Sequence, residues 1–105
     1  MGEWLVYLEI ARIRVKPGME QRFIDVSRSH VANLDKFVGA SSFAVRRCHE
    51  DPREFYYLIE WNTIEDHTEK FRASDFGKQA HAEIVPLLDG DPVVHHSTLL
   101  AEKRS

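Results

Sequence analysis

The stretch EDPREFYYLIEWNTIEDHTEKFRASDF, Glu50 to Phe76, holds a turn signal, a strand and a capped helix in that order. Phe55 to Trp61 is the strand, because aromatic and β-branched side chains favour an extended chain. A period of two places Phe55, Tyr57, Ile59 and Trp61 on one face and Tyr56, Leu58 and Glu60 on the other. Both faces are largely apolar, so neither is expected to face water. Thr63 follows as a helix N-cap, with Asp66 three residues on in a weaker form of the capping box. Upstream, Asp51 and Pro52 supply a turn. Before it, Phe43, Val45 and Arg47 alternate with Ala44, Arg46 and Cys48 in a strand from Ser42 to Cys48. A hairpin is the simplest pairing of the two strands.

Further out, Trp4 to Val15 reads as a first strand. Leu5, Tyr7, Glu9, Ala11, Ile13 and Val15 share one face, and Val6, Leu8 and Ile10 share the other. Lys16-Pro17-Gly18 stops it. Met19 to about Leu34 has the helical spacing Met19, Phe23, Val26, His30, Leu34, with Glu20 in the first turn. Ile64 to about Phe71 is a second helix. Ser74 caps a further one that carries Phe76, Ala80 and Ile84 until Pro86 ends it. Val93 to Leu100 is the last strand. The order is that of a ferredoxin-like β-α-β-β-α-β fold, class α+β, with helices on one face of an antiparallel sheet. The opposite face is expected to hold Val6, Leu8, Ile10, Tyr56, Leu58, Val94 and Leu100. One chain has no strands left to cover it, so a homodimer packed sheet to sheet is expected.

The chain has 105 residues. That suits a single domain, residues 1–105, with a core over 4–100 and a polar tail over 101–105. A net charge of -3 with scattered Lys and Arg gives no footprint for nucleic acid. No apolar run is long enough to span a membrane, so no membrane partner is expected and a cytoplasmic protein is the default. Cys48 is the single cysteine and cannot form an internal disulfide.

Taken together, these residues resemble the antibiotic biosynthesis monooxygenase family over Leu5 to Leu100. The resemblance rests on Val15-Lys16-Pro17-Gly18-Met19-Glu20 leading into the first helix and on the Phe37-Val38-Gly39 exit. It also rests on the Glu50-Asp51-Pro52 hairpin, Glu60-Trp61 and the Ser74–Phe76 helix start. It implies a dimeric α+β barrel with a pocket between sheet and helices in each subunit. The activity it implies is monooxygenation of a small planar phenolic or quinol compound without metal, flavin or other cofactor. Members without known activity leave a non-catalytic binder or an accessory dimer as alternatives. The haem-degrading branch is similar at Ala80-His81, which would place iron on His81, but Ala11 and Phe71 stand where that branch has an asparagine and a tryptophan.

The candidate acid-base residues are His67, His81 and Glu9. His67 is expected at the pocket mouth, exposed enough to titrate near neutral pH. Glu9 interrupts an apolar face, so it must be paired or protonated if buried. It could equally pair with an Arg near the sheet edge. Tyr7, Phe23, Phe43, Tyr57 and Trp61 would line a flat aromatic cavity suited to a planar ring, with His30 and Phe71 beside it, though a plain aromatic core reads the same way. Arg47 is placed to hold a phenolic oxygen. Glu60 is expected to meet Arg12 or Arg46 across the sheet. His95 and His96 point to opposite faces, and no ligand set for a metal is completed around them.

Overall fold

The computed structural model describes residues 6–105; Trp4 and Leu5, where the first strand and the core were expected to begin, lie outside them. The strands are β1 (Tyr7–Arg14), β2 (Ala40–Arg47), β3 (Glu54–Trp61) and β4 (Val93–Thr98). The main helices are α1 (Glu20–Ala32) and α2 (Asp75–Ile84). The sheet runs β2-β3-β1-β4 with every neighbouring pair antiparallel. This is the expected α+β ferredoxin-like arrangement. β2 and β3 form the expected hairpin, and α1 carries the chain from β1 across to β2, leaving the place between them to β3.

The helix-facing side of the sheet follows the alternation read from β3. Phe55, Ile59 and Trp61 are buried, and so are Glu9, Ala11 and Ile13 on β1. α1 turns Phe23, Val26, Ser27 and His30 onto this side. Met19, expected on the same stripe, stands just before the helix and is exposed. The buried apolar residues form two groups. One gathers Val15, Phe23, Phe55 and Ile84 near the end of β1, and the other gathers Phe37, Phe43, Ile59 and Trp61.

Three departures from the sequence reading matter for the site. The helix after Thr63 is capped as expected, with Asp66 N–H donating to Thr63 Oγ1 at 3.0 Å, but Asp66–Phe71 is wound as a π-helix rather than an α-helix. Its wider turn suits a position where a side chain must be re-aimed. The Ser74 hydroxyl closes the segment by donating to Phe71 O at 2.6 Å while capping Gly77 N–H at 3.0 Å. A Cβ on Gly77 would meet Phe71 O at 1.9 Å, so only glycine lets α2 start this close. Second, β4 has the opposite parity to that expected. Glu9 pairs with His96 and Ala11 with Val94, so Val94 and His96 face the helices while Val93 and His95 face away. Leu100 lies beyond the strand and is almost wholly exposed. Third, Glu60 meets neither Arg12 nor Arg46; Ser42 Oγ donates to its Oε1 at 2.7 Å along the β2–β3 pair.

Candidate functional site

The register of three strands builds the site. Glu9 on β1 lies opposite Ile59 on β3 and opposite His96 on β4. Tyr7 pairs with Trp61, so Trp61 is the diagonal neighbour of Glu9 on the same face. Trp61 Nε1–H donates to Glu9 Oε1 at 2.9 Å. The π-helix lays His67 flat on Trp61, with ring centroids 5.0 Å apart and planes inclined by 18°. His67 Nε2 then lies 3.3 Å from the same Glu9 oxygen, and His67 Nδ1 lies 2.9 Å from His96 Nε2. Glu9 and His67 are 5% and 6% exposed.

Glu9, Ile59, Trp61 and His67 line one wall of a cavity of about 830 Å³ between the sheet and the helices, and His96 stands behind His67 outside the lining. Phe37, Phe43, Tyr57, Trp61 and Phe71 supply its aromatic walls, with Phe37 and Phe71 stacked at 4.6 Å. His30 lines it from α1, 3.3 Å from Glu83. Exposed Arg72, Lys78 and His81 stand at its rim. Among the described residues no cluster of three or more His, Cys, Asp or Glu is arranged to hold a metal ion.

Burial reverses the usual roles of carboxyl and imidazole here. It pushes the Glu9 carboxyl up to about 7, against the opposing pull of the Trp61 hydrogen bond and of the Arg72 charge. Burial also pushes His67 down to about 4, with Arg72 and then His96 adding to the effect. His96 is lowered by burial, Arg72 and His95. Of Glu9 and His67, it is therefore the carboxyl that titrates near neutrality. Tyr57 is pushed up to about 12 by burial and bonds to Ser27 at 2.6 Å, so it stays a neutral phenol in the wall.

Of the residues singled out from sequence, Glu9, His67, His30, Phe43, Tyr57, Trp61, Phe71 and His81 all line this cavity. His67 is buried rather than exposed at the mouth, because the π-helix presses it between Trp61 and β4. His81 is the exposed histidine at the rim. Three residues lie elsewhere. Phe23 is completely buried in the core, packed on Phe55 at 4.7 Å between centroids. Tyr7 sits half-buried at the start of β1, outside the lining. Arg47 is at the hairpin end of β2, where its Nε donates to Pro52 O at 2.8 Å and its guanidinium lies over Phe55. Sequence reasoning missed Arg72, Phe37 and the inward role of His96. Phe37 had a signal in its apolar exit segment, whereas Arg72 had none beyond following Phe71.

A model of the antibiotic biosynthesis monooxygenase family matches residues 6–83. The chain belongs to this family. The match covers β1 through nearly all of α2 and so includes Glu9, Trp61 and His67, whereas His96 lies beyond it. YczJ of Bacillus subtilis, an uncharacterised protein, is 32% identical over 88 residues, 84% of this chain and 93% of its own length. A crystal structure from Bordetella bronchiseptica, assigned by name to the same monooxygenases, superposes with a TM-score of 0.87 at 25% identity, covering 92% of this chain and 99% of that one. A conserved protein from Methanosarcina mazei superposes with a TM-score of 0.77 at 23% identity, covering 91% and 94%, which shows the shared fold.

The raised Glu9 pKa links stability to pH. Between the ordinary value of 4.5 and about 7 the folded chain holds a proton that the unfolded chain has released. Its contribution is complete below about 4.5 and lost as pH rises through about 7. His67 works in the opposite sense between about 4 and 6.5. Glu9→Gln removes only the first effect. Its stability relative to wild type is expected to rise by about 3 kcal/mol between about pH 5 and pH 8, read from urea unfolding at each pH. A difference that does not change with pH would contradict this account of Glu9.

Proposed function

We propose that the cavity binds a small planar phenol or quinol and that Glu9 takes its phenolic proton, so that dioxygen oxidises the bound anion without a cofactor. The observation that carries this reading is a carboxyl poised at about 7, buried in the wall of an aromatic cavity of about 830 Å³. Aromatic walls favour a planar ring, and a base that titrates near the working pH is the efficient one for proton abstraction. Arg72, which already acts on Glu9 through space, stabilises the phenolate in place of the role first given to Arg47. Transfer of electrons from the anion to dioxygen forms a carbon–oxygen bond and a peroxide. The peroxide O–O bond then breaks as the ring C–H proton leaves. The carbon keeps one oxygen as a quinone carbonyl. The other departs as hydroxide and takes the proton back from Glu9 as water. Phenol and dioxygen thus become quinone and water, and the substrate supplies every electron.

Haem fits these residues poorly. Ala11 and Phe71 line the cavity and neither can donate a hydrogen bond to an iron ligand, so no step is built on haem. A binding role without turnover is the second reading. It is favoured by Phe71 and Phe76, nonpolar residues where related enzymes often use histidine. A cytoplasmic site of action belongs to the same proposal. Among the described residues no helix is long and apolar enough to cross a membrane, and the Cys48 thiol is free. A homodimer through the sheet's outer face is also proposed. Leu8, Tyr56 and Leu58 are only half-covered there, and Ile10 and Val93 are exposed.

Oxygen uptake with a panel of hydroquinones and anthrones, with no flavin or metal added, tests the reaction. Wild type should consume oxygen faster than buffer, and Glu9→Gln should lose about 100-fold or more in kcat. Binding by calorimetry without oxygen uptake would support the second reading, and neither binding nor uptake would overturn both for this substrate class.

For the dimer, sedimentation equilibrium should give twice the chain mass for wild type. Leu58→Asp should dissociate it, because the interface would bury an unpaired charge. A monomer in the wild type at micromolar protein would sink the dimer.

A further inference from the structure

His30 is a buried polar residue of the cavity lining that the proposed reaction leaves unused. It comes from the last turn of α1 and is 4% exposed. Its Nε2 is hydrogen-bonded to Glu83 Oε1 on α2 at 3.3 Å. An ionised carboxylate can only accept, so the ring proton sits on Nε2 and Nδ1 is left as a bare acceptor. Among the described residues Nδ1 has no partner of its own, and no side-chain nitrogen or oxygen that is fully shut in lacks one. Nδ1 therefore opens onto the cavity that the ring lines. Other polar groups of the lining are taken up within the chain. Tyr57 OH meets Ser27 at 2.6 Å, Trp61 Nε1–H meets Glu9 at 2.9 Å, and His67 Nδ1 meets His96 at 2.9 Å.

A row of rings separates His30 from Glu9. Trp61, which holds Glu9, has its ring centroid 5.4 Å from that of Phe71. Phe71 lies 4.6 Å from Phe37, and Phe37 lies 6.3 Å from His30. Phe76 meets the His30 ring edge-on at 6.2 Å. The cavity thus has an acceptor at each end of an aromatic row, the Glu9 carboxyl and His30 Nδ1. We propose that His30 is a specificity-determining residue whose Nδ1 accepts a hydrogen bond from a second hydroxyl of the ligand. The preferred ligand is then a fused-ring diol with its hydroxyls on opposite edges, one against Glu9 and the other against His30. A ligand of the same shape with one hydroxyl leaves a polar group of the site buried without a donor, which is the costly case. Glu83 is the positioning residue, since its carboxylate decides which nitrogen of His30 is bare. The inference rests on the reading of the cavity as a site for a planar phenol.

The test is calorimetry of the full chain with 2,6-dihydroxynaphthalene and with 2-naphthol. Wild type should bind the diol about 5- to 10-fold more tightly, the worth of one added hydrogen bond. His30→Phe keeps a ring in place and removes the acceptor, so the preference should vanish. Glu83→Ala, at an exposed position, should weaken it, because the ring is then free to carry its proton on Nδ1. ¹⁵N imidazole NMR of the wild type decides the matter even if His30→Phe fails to fold. His30 should show Nε2–H and a bare Nδ1 whose signal moves more with the diol than with 2-naphthol. Equal affinities in wild type, a preference that survives His30→Phe, or a ring protonated at Nδ1 would overturn the proposal. If both compounds bind equally well, the cavity reading stands and the role of His30 falls. If neither binds, both fall.

Discussion

A carboxylate cannot be buried on an apolar strand without a partner or a proton, and the site is built around that demand at Glu9. One neutral donor, Trp61 Nε1–H, meets it at 2.9 Å. A neutral donor steadies the carboxyl without neutralising it. A bidentate arginine in the same place would hold the group ionised well below neutrality and leave a poor base. Arg72 is instead at the rim, near enough to temper the effect of burial but not to cancel it. The result is a carboxyl near 7, set by the difference between a large desolvation cost and two smaller attractions.

The surrounding elements hold that balance in place. Trp61 is completely buried, so its indole N–H cannot leave Glu9 for water. His67 lies on the indole face and closes the other side of the carboxyl. It reaches that position through the π-helix, which in turn depends on the close start of α2 at Gly77 and on the Ser74 bridge to Phe71 O. A displacement of α2 would therefore be felt at Glu9 through the ring of His67.

Much of the fold was legible because its signals are local. The alternation in Phe55–Trp61, the Thr63 and Ser74 caps and the stop at Pro86 each concern a few adjacent residues, and each appears where expected. The site was harder to read because it depends on register and depth. A period of two says that Val94 and His96 share a face, but only the pairing of Glu9 with His96 says which face. Arg47 and Phe23 point to the correct side of the sheet, yet one lies at the hairpin end and the other deep in the core, and periodicity carries no lateral coordinate. His67 was expected to be exposed because a helical spacing cannot show that β4 and Trp61 enclose it. The polar break at Glu9 was visible in the chain, and its burial was one of the two outcomes the sequence allowed.

The fold is shared with proteins at about a quarter identity, so any chemistry must rest on side chains such as Glu9 rather than on the architecture. The account therefore stands or falls on the protonation of that one carboxyl. Carboxyl ¹³C NMR of selectively labelled protein, with Glu9→Gln to assign the signal, measures it directly. The account predicts a Glu9 midpoint near 7. A midpoint near the ordinary 4.5 would contradict it, because a carboxyl that ionises so readily is either solvated or paired and is not the buried base described here.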